Sequence, residues 1–215
     1  MNDETLERRI PPVSEVFGDH ASRRAAAAAE AGDVEALRAM KIDLDAMAPG
    51  NVNLLMYEIT AGNEVAIRAL LDAGANPNVL TPSGASPMML AAIMPDSRFL
   101  RVLLDKGGDP NLEDHQKEPL LVRLVFHEHW ANLLLLLDRG ADIDKTGPSG
   151  QTAVFLLGSL HRFDRVHELL ERGADPNVKT AAGLDLRTFL GQRVAPGSSQ
   201  ASWQKKVAER MGTMG

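Results

Sequence analysis

A nine-residue pattern recurs along this chain at one fixed distance. LLDAGANPN begins at Leu70, LLDKGGDPN at Leu103, LLDRGADID at Leu136 and LLERGADPN at Leu169, each 33 residues after the last. A degenerate copy, LRAMKIDLD, begins at Leu37, again 33 residues earlier. Self-similarity at such a period means a row of small supersecondary units, each burying its apolar face against its neighbours.

Each copy has a mechanical reading. The leucine pairs close a helix, because Ile67, Leu100, Leu133 and Val166 stand three or four residues earlier and make one helical face apolar. Gly74, Gly107, Gly140 and Gly173 follow, where a helix stops most easily on a residue that tolerates positive φ. Pro77-Asn78, Pro110-Asn111 and Pro176-Asn177 then turn the chain, and a second turn comes at Pro82-Ser83-Gly84, Pro148-Ser149-Gly150 and Ala182-Gly183. Ser86-Pro87 and Thr152-Ala153 open the next helix, the hydroxyl accepting from free N–H groups. Asp33, Asn63 and Asp96 stand as N-caps in the break before the second helix of each unit.

These residues resemble the ankyrin-repeat family. Its T-P-L-H-x-A helix start corresponds to Ser86-Pro87-Met88-Met89-Leu90-Ala91, and its L-L-x-x-G-A-D-x-N end to Leu169-Leu170-Glu171-Arg172-Gly173-Ala174-Asp175-Pro176-Asn177. The resemblance covers nearly everything from Ala21 to Leu190. It implies an all-α ankyrin-repeat solenoid of about five to six helix-turn-helix units with short hairpin-like loops. The expected organisation is a loose segment 1–16 and one domain over 17–212, divided into an N-terminal cap 17–49, units 50–80, 81–113, 114–146 and 147–179, and a C-terminal cap 180–212. Residues Ala21 to Met40 supply the first helix pair, Leu184 to Leu190 a first helix of the sixth unit, and Trp203, Val207 and Met211 a closing helix with Trp203 in the core. The first dozen residues and the final glycines are expected to be loose.

Two departures from the family pattern stand out. The family histidine is absent in every copy, replaced by Met56, Met89, Leu121 and Phe155, so some hydrogen bonds between adjacent turns should be missing. The fourth unit is irregular: Asn111 to Pro119 is one residue shorter than Asn78 to Pro87, and Pro119 to Leu136 is one longer than Pro87 to Leu103. Its turn around His115-Gln116-Lys117 lacks glycine, and the segment His127-Glu128-His129-Trp130 is extended.

Composition excludes several function classes. Among 215 residues there is no cysteine, which removes disulfides, thiolate metal sites and a cysteine nucleophile. Aromatics make up only 4%, which suits a core of Leu, Ala, Val and Met packed between helices. The formal net charge of −6 disfavours nucleic acid and anionic lipid. Apolar runs stay well short of the ~18 residues that read as a membrane span, so no membrane insertion is expected. The opening MNDETLERRIPPVSEVF lacks the apolar stretch of a secretory signal, which points to the cytoplasm, with the periplasm as the alternative where a signal has been removed.

Catalysis is not expected, nor any cofactor or metal. His127 and His129 are two apart and His161 and His167 six apart, whereas helical ligand pairs stand three or four apart. Asp109, Asp142 and Asp175 recur at one place in the repeat, which turn chemistry explains better than acid–base work. No nucleophile elbow, phosphate-cradling loop or dinucleotide fingerprint occurs.

The resemblance therefore implies a protein-binding module, monomeric when unbound, whose partner docks on a concave surface. Carried over position by position, the hairpin tips are Pro82, Ser83, His115, Gln116, Pro148 and Ser149, and the exposed first-helix positions are Thr60, Ala61, Ile93, Met94, Val125, Phe126, Ser159 and Leu160. Ile93, Met94, Val125 and Phe126 are apolar where a purely structural repeat prefers polar residues, and Trp130, His127 and His129 extend that patch. The competing reading is that the irregular fourth unit tilts these side chains into the core. The acidic balance favours a partner with a basic face through faster encounter. Similarity to bacterial ankyrin proteins implies an immunity protein that neutralises a secreted type VI effector such as a phospholipase. The alternatives are a scaffold or host-directed adaptor and, last, an enzyme with a cryptic site.

Overall fold

The computed structural model describes residues 10–127, 129–192 and 194–212. Of the segment expected to be loose, residues 1–9 lie outside that set, as do 213–215 at the other end. Among the described residues every regular element is helical. The helices group into two compact units that divide between Asp109 and Pro110.

In the first unit, α1 (Val13–Val16) precedes the pair α2 (His20–Glu30) and α3 (Val34–Met40). Two further pairs follow: α4 (Leu54–Ala61) with α5 (Glu64–Ala73), and α6 (Pro87–Ile93) with α7 (Ser97–Asp105). Helix α2 packs on α5, α4 on α5 and α6, and α5 on α7. The alanine run makes this close approach possible, with Ala25, Ala26 and Ala29 buried beside Leu37, Ile67 and Leu70. Burying each such leucine or isoleucine contributes about 2 kcal/mol. Residues 10–16 carry α1, and Tyr57 Oη donates to Pro11 O at 2.9 Å.

The second unit contains α8 (Leu120–Leu124), α9 (Trp130–Asp138), α10 (Ala153–Ser159), α11 (Phe163–Glu171), α12 (Arg187–Leu190) and α13 (Ser199–Arg210). Helix α8 packs on α9 and α10, α10 on α11 and α12, and α13 on α11 and α12. Leu120, Leu124, Leu136, Phe163, Leu169 and Val207 form its interior. Gly158 permits the approach of α12 to α10, since a Cβ there would stand 2.6 Å from Leu186 Cδ1.

The local chemistry follows the repeat. Asp33 accepts from Ala36 N at 2.9 Å, Asn63 from Ala66 N at 3.2 Å, Asp96 from Arg98 N at 2.9 Å, Ser86 from Met89 N at 3.0 Å and Thr152 from Phe155 N at 3.3 Å. The four helix-ending glycines all have positive φ, between 89° and 110°. Met56, Met89, Leu121 and Phe155, at the position of the family histidine, are buried apolar residues.

Neighbouring repeats are tied by a recurring link. Asp45, Asn78, Asn111 and Asp144 accept the backbone N–H of Asn76, Asp109, Asp142 and Asp175 at 2.8, 2.7, 2.7 and 2.8 Å. A second tie is ionic: Asp72 pairs with Lys106, and Asp138 with Arg172 at 2.7 Å.

The irregularity of the fourth repeat has a specific cause. Pro119 is the N-cap residue of α8, where Ser86 and Thr152 supply a capping hydroxyl to α6 and α10, so α8 starts without a side-chain cap. It also ends at Leu124, whereas α6 and α10 run on to Ile93 and Ser159, the equivalents of Phe126. Asp114 compensates. It is buried, takes the place of Thr81 and Thr180 in their hairpins, and accepts from Gln116 N at 2.8 Å and Glu118 N at 3.0 Å while pairing with Arg123. Lys117 occupies the position of Gly84, Gly150 and Gly183 and adopts their left-handed conformation, at φ 65°.

Two C-terminal expectations are modified. The helix expected over 184–190 is one turn, Arg187–Leu190, opened by Asp185 accepting from Arg187 N at 2.9 Å, with Leu184 left exposed. Gln204 of α13 donates to Phe189 O and Gln192 O and so satisfies carbonyls at that helix end. Trp203 is half-buried rather than central: its ring lies 5.1 Å from that of His167, with Lys206 Nζ 4.0 Å above it.

Candidate functional site

The sequence-selected residues fall into separate groups. Pro82 and Ser83, His115 and Gln116, and Pro148 and Ser149 are all exposed on hairpin turns. In the second unit consecutive turns are joined, Ala181 N donating to Ser149 O at 2.9 Å. Ile93 and Met94 are half-buried at the end of α6 in the first unit, while Thr60 and Ala61 are exposed at the end of α4.

Val125, Phe126, Trp130 and Leu160 come together. They line a hollow of about 520 Å³ in the second unit, with His127, Leu157, Arg162 and Arg165 completing its wall and none of the hairpin-tip residues taking part. Its origin is local. Helix α8 stops at Leu124, and Val125, Phe126 and His127 beyond it line the hollow together with Trp130 at the start of α9 and with Leu157 and Leu160 of the next repeat. Phe126 keeps 61% of its surface exposed and Leu160 46%, an unusual display for side chains of this size.

One wall of the hollow is rigidly held. Trp130 Nε1 donates to Glu168 Oε2 at 2.8 Å, and the Arg165 guanidinium sits 4.4 Å from the indole centroid. Arg165 is itself held between Asp164 at 3.7 Å and Glu168 at 3.6 Å. Asp164 is fixed from α13 by Gln200 Nε2 at 2.9 Å. Arg162 is freer, with its side chain 47% exposed and 4.0 Å from Asp164.

Sequence reasoning missed Leu157, Arg162 and Arg165. A signal for Arg162 exists. Positions 63, 96, 129 and 162 are equivalent, and the first two hold the capping Asn63 and Asp96, whereas His129 and Arg162 cap nothing. Losing an N-cap costs about 1 kcal/mol, and a cation at a helix N-terminus also opposes the helix dipole. Among the described residues the charged side chains that line the hollow are Arg162 and Arg165, beside His127, with Asp164 and Glu168 set behind the arginines.

Among the described residues no group of three or more His, Asp or Glu could hold a metal ion, and no helix is long and apolar enough to cross a membrane.

Paired helices linked by hairpin turns, with an apolar hollow on their surface, define an all-helical repeat protein. The comparisons give the kind of repeat. Residues 25–114 match the family model for ankyrin repeats (3 copies), and the chain has the ankyrin-repeat fold. A crystal structure of EF0377, an ankyrin repeat protein, superposes with a TM-score of 0.70 at 23% identity, covering 87% of this chain and 98% of that one. No curated protein sequence gives a match. Ankyrin repeats are typically non-enzymatic modules for binding other proteins.

Proposed function

We propose that this chain is a protein-binding module whose principal contact is the hollow bounded by Phe126 and Leu160, and that it acts by covering a working surface of its partner. The observation that carries this reading is the exposure of those two side chains around one depression, beside a tryptophan already immobilised by Glu168 and Arg165. Clustered, preordered aromatic and aliphatic groups are what protein interfaces use as anchors.

The partner we assign is a secreted bacterial toxin, such as a type VI antibacterial phospholipase. What supports this is a resemblance of overall character, short regular units with many Arg and Ala residues, to bacterial ankyrin proteins, some of which are encoded beside such toxins. The mechanism is occlusion of the toxin's active site or membrane-docking surface. The test is affinity capture from the native source, followed by assay of the captured protein with and without this chain. One stoichiometric partner whose activity falls on mixing is the expected result. A set of weak partners with no inhibition would count against it.

A further inference from the structure

The hollow combines two chemistries that narrow what can enter it. Its apolar lining comes from Val125, Phe126, Leu157 and Leu160, and among the described residues its charged or imidazole lining is His127, Arg162 and Arg165. Arg162 stands at a repeat position where Asn63 and Asp96 cap their helices, and it does not cap α11. Giving up a cap in favour of an exposed cation is a local loss that the ion pair with Asp164, at 4.0 Å, offsets little. Such departures from local consistency concentrate at functional sites.

We infer that the hollow takes an acidic segment of the partner protein, which seats one aromatic or branched aliphatic side chain between Phe126, Leu160 and Trp130 and sets a neighbouring carboxylate against Arg162. This deepens the reading of the hollow as the interface and rests on it. Arg165 is the lesser contributor, since Asp164 and Glu168 already face it and its guanidinium covers Trp130. Arg162 is different: its carboxylate neighbour Asp164 is 4.0 Å away and also engaged by Gln200. A planar guanidinium exposed beside apolar surface suits paired recognition of a carboxylate. A basic partner segment would meet like charge here. Long-range attraction of basic partners by the net charge of −6 and selection within the hollow are therefore separate effects.

The test uses the full chain and three synthetic peptides: one with a central phenylalanine flanked by glutamates, the same peptide flanked by lysines, and the glutamate peptide with a central alanine. Binding is read from the Trp130 indole N–H cross-peak, assigned with a W203F variant. Only the glutamate-flanked phenylalanine peptide should shift that peak. R162E should weaken it about fivefold or more, and F126A about tenfold. Both side chains are exposed, and unchanged unfolding midpoints confirm that the variants fold. Equal binding of the lysine-flanked peptide, indifference to R162E, or no binding by any peptide overturns the inference. So does concentration-dependent self-association of the free chain that F126A abolishes, because the occupant would then be a second copy. If the peptides fail while F126A still loses the inhibited native partner, this inference falls and the interface stands. If F126A and R162E both retain that partner at full affinity, the interface assignment itself falls.

Discussion

Asn78 Oδ1 accepts the backbone N–H of Asp109 at 2.7 Å while its Nδ2 donates to Gly107 O at 3.0 Å. Asn111 makes the same pair of bonds, to Asp142 N at 2.7 Å and Gly140 O at 3.3 Å. An amide is suited to this place because one side of it must accept and the other donate. Asp45 and Asp144 occupy the equivalent positions and can only accept when ionised.

Asp45 and Asp144 are consequently strained electrostatically. Burial, foremost, pushes both carboxyls above their ordinary range, and nearby aspartates add to it, Asp43 at the first and Asp175 and Asp142 at the second. The hydrogen bond from the following repeat opposes the rise without cancelling it. A raised carboxyl contributes stability that is complete below its unfolded pKa and is lost as pH rises through the folded value. D45N and D144N are each expected to stabilise the chain by about 1 kcal/mol at neutral pH, with the added amide donating to Gly74 O and Gly173 O. The gain should shrink on acidification. Urea unfolding at neutral pH and in mild acid measures it, and a destabilised or pH-independent variant would refute the account.

Glu58 presents the same physics more sharply. It lies on α4 with 1% of its surface exposed, and its Oε1 has no hydrogen-bond partner. Burial first, and then the charge of Glu30, raise its pKa to about 7 against the pull of a hydrogen bond with the Asn63 side chain. Stability should therefore be full below the ordinary glutamate range and fall as pH rises toward 7 and a little beyond. E58Q removes the ionisation and keeps the shape. It should gain on the order of 2 kcal/mol above neutrality and flatten the acid-to-neutral slope of the unfolding midpoint.

Lys117 holds φ at 65° in the one hairpin of its series that lacks glycine. The left-handed region costs a side-chain-bearing residue about 1 kcal/mol. Its ammonium pairs with Glu113 at 3.6 Å on an 80% exposed side chain, which offsets little of that. K117G should raise the unfolding midpoint while leaving the Asp114–Arg123 pair and the helical circular dichroism unchanged. A lower midpoint would show that the turn is held by something other than backbone preference.

The fold was legible because its determinants are local and repeated. Leu-Leu before Gly recurs four times, and the capping Asp33, Asn63 and Asp96 each act within one unit, so a single sequence displays both signals repeatedly. The hollow was legible only in part. Val125, Phe126, Trp130 and Leu160 stood out as apolar residues at exposed positions, but Leu157, Arg162 and Arg165 reach the site across a repeat boundary, and intra-repeat spacing carries no record of that. That the tips His115, Gln116, Pro148 and Ser149 of the same unit do not line the hollow was likewise invisible. Tips and helix ends share a repeat in sequence, yet α8 ends at Leu124, two residues before the position equivalent to Ile93 and Ser159, and that early end leaves Val125 and Phe126 outside the helix.

The rigidity of Trp130 gives the last expectation its force. The indole N–H reaches Glu168 at 2.8 Å and the ring lies under Arg165, which Glu168 also holds. One carboxylate thus orients both the aromatic wall and the cation above it. E168A should cost only about 1 kcal/mol of stability, because the side chain is on the surface of α11. It should nonetheless shift Trp130 emission to longer wavelength and weaken partner binding several-fold through lost preordering. E168Q retains a carbonyl oxygen for the indole and should restore the emission and much of the affinity, although Arg165 loses its charge partner. If E168A leaves both emission and binding unchanged while lowering stability, Glu168 serves the fold alone, and the fixed indole is incidental to recognition.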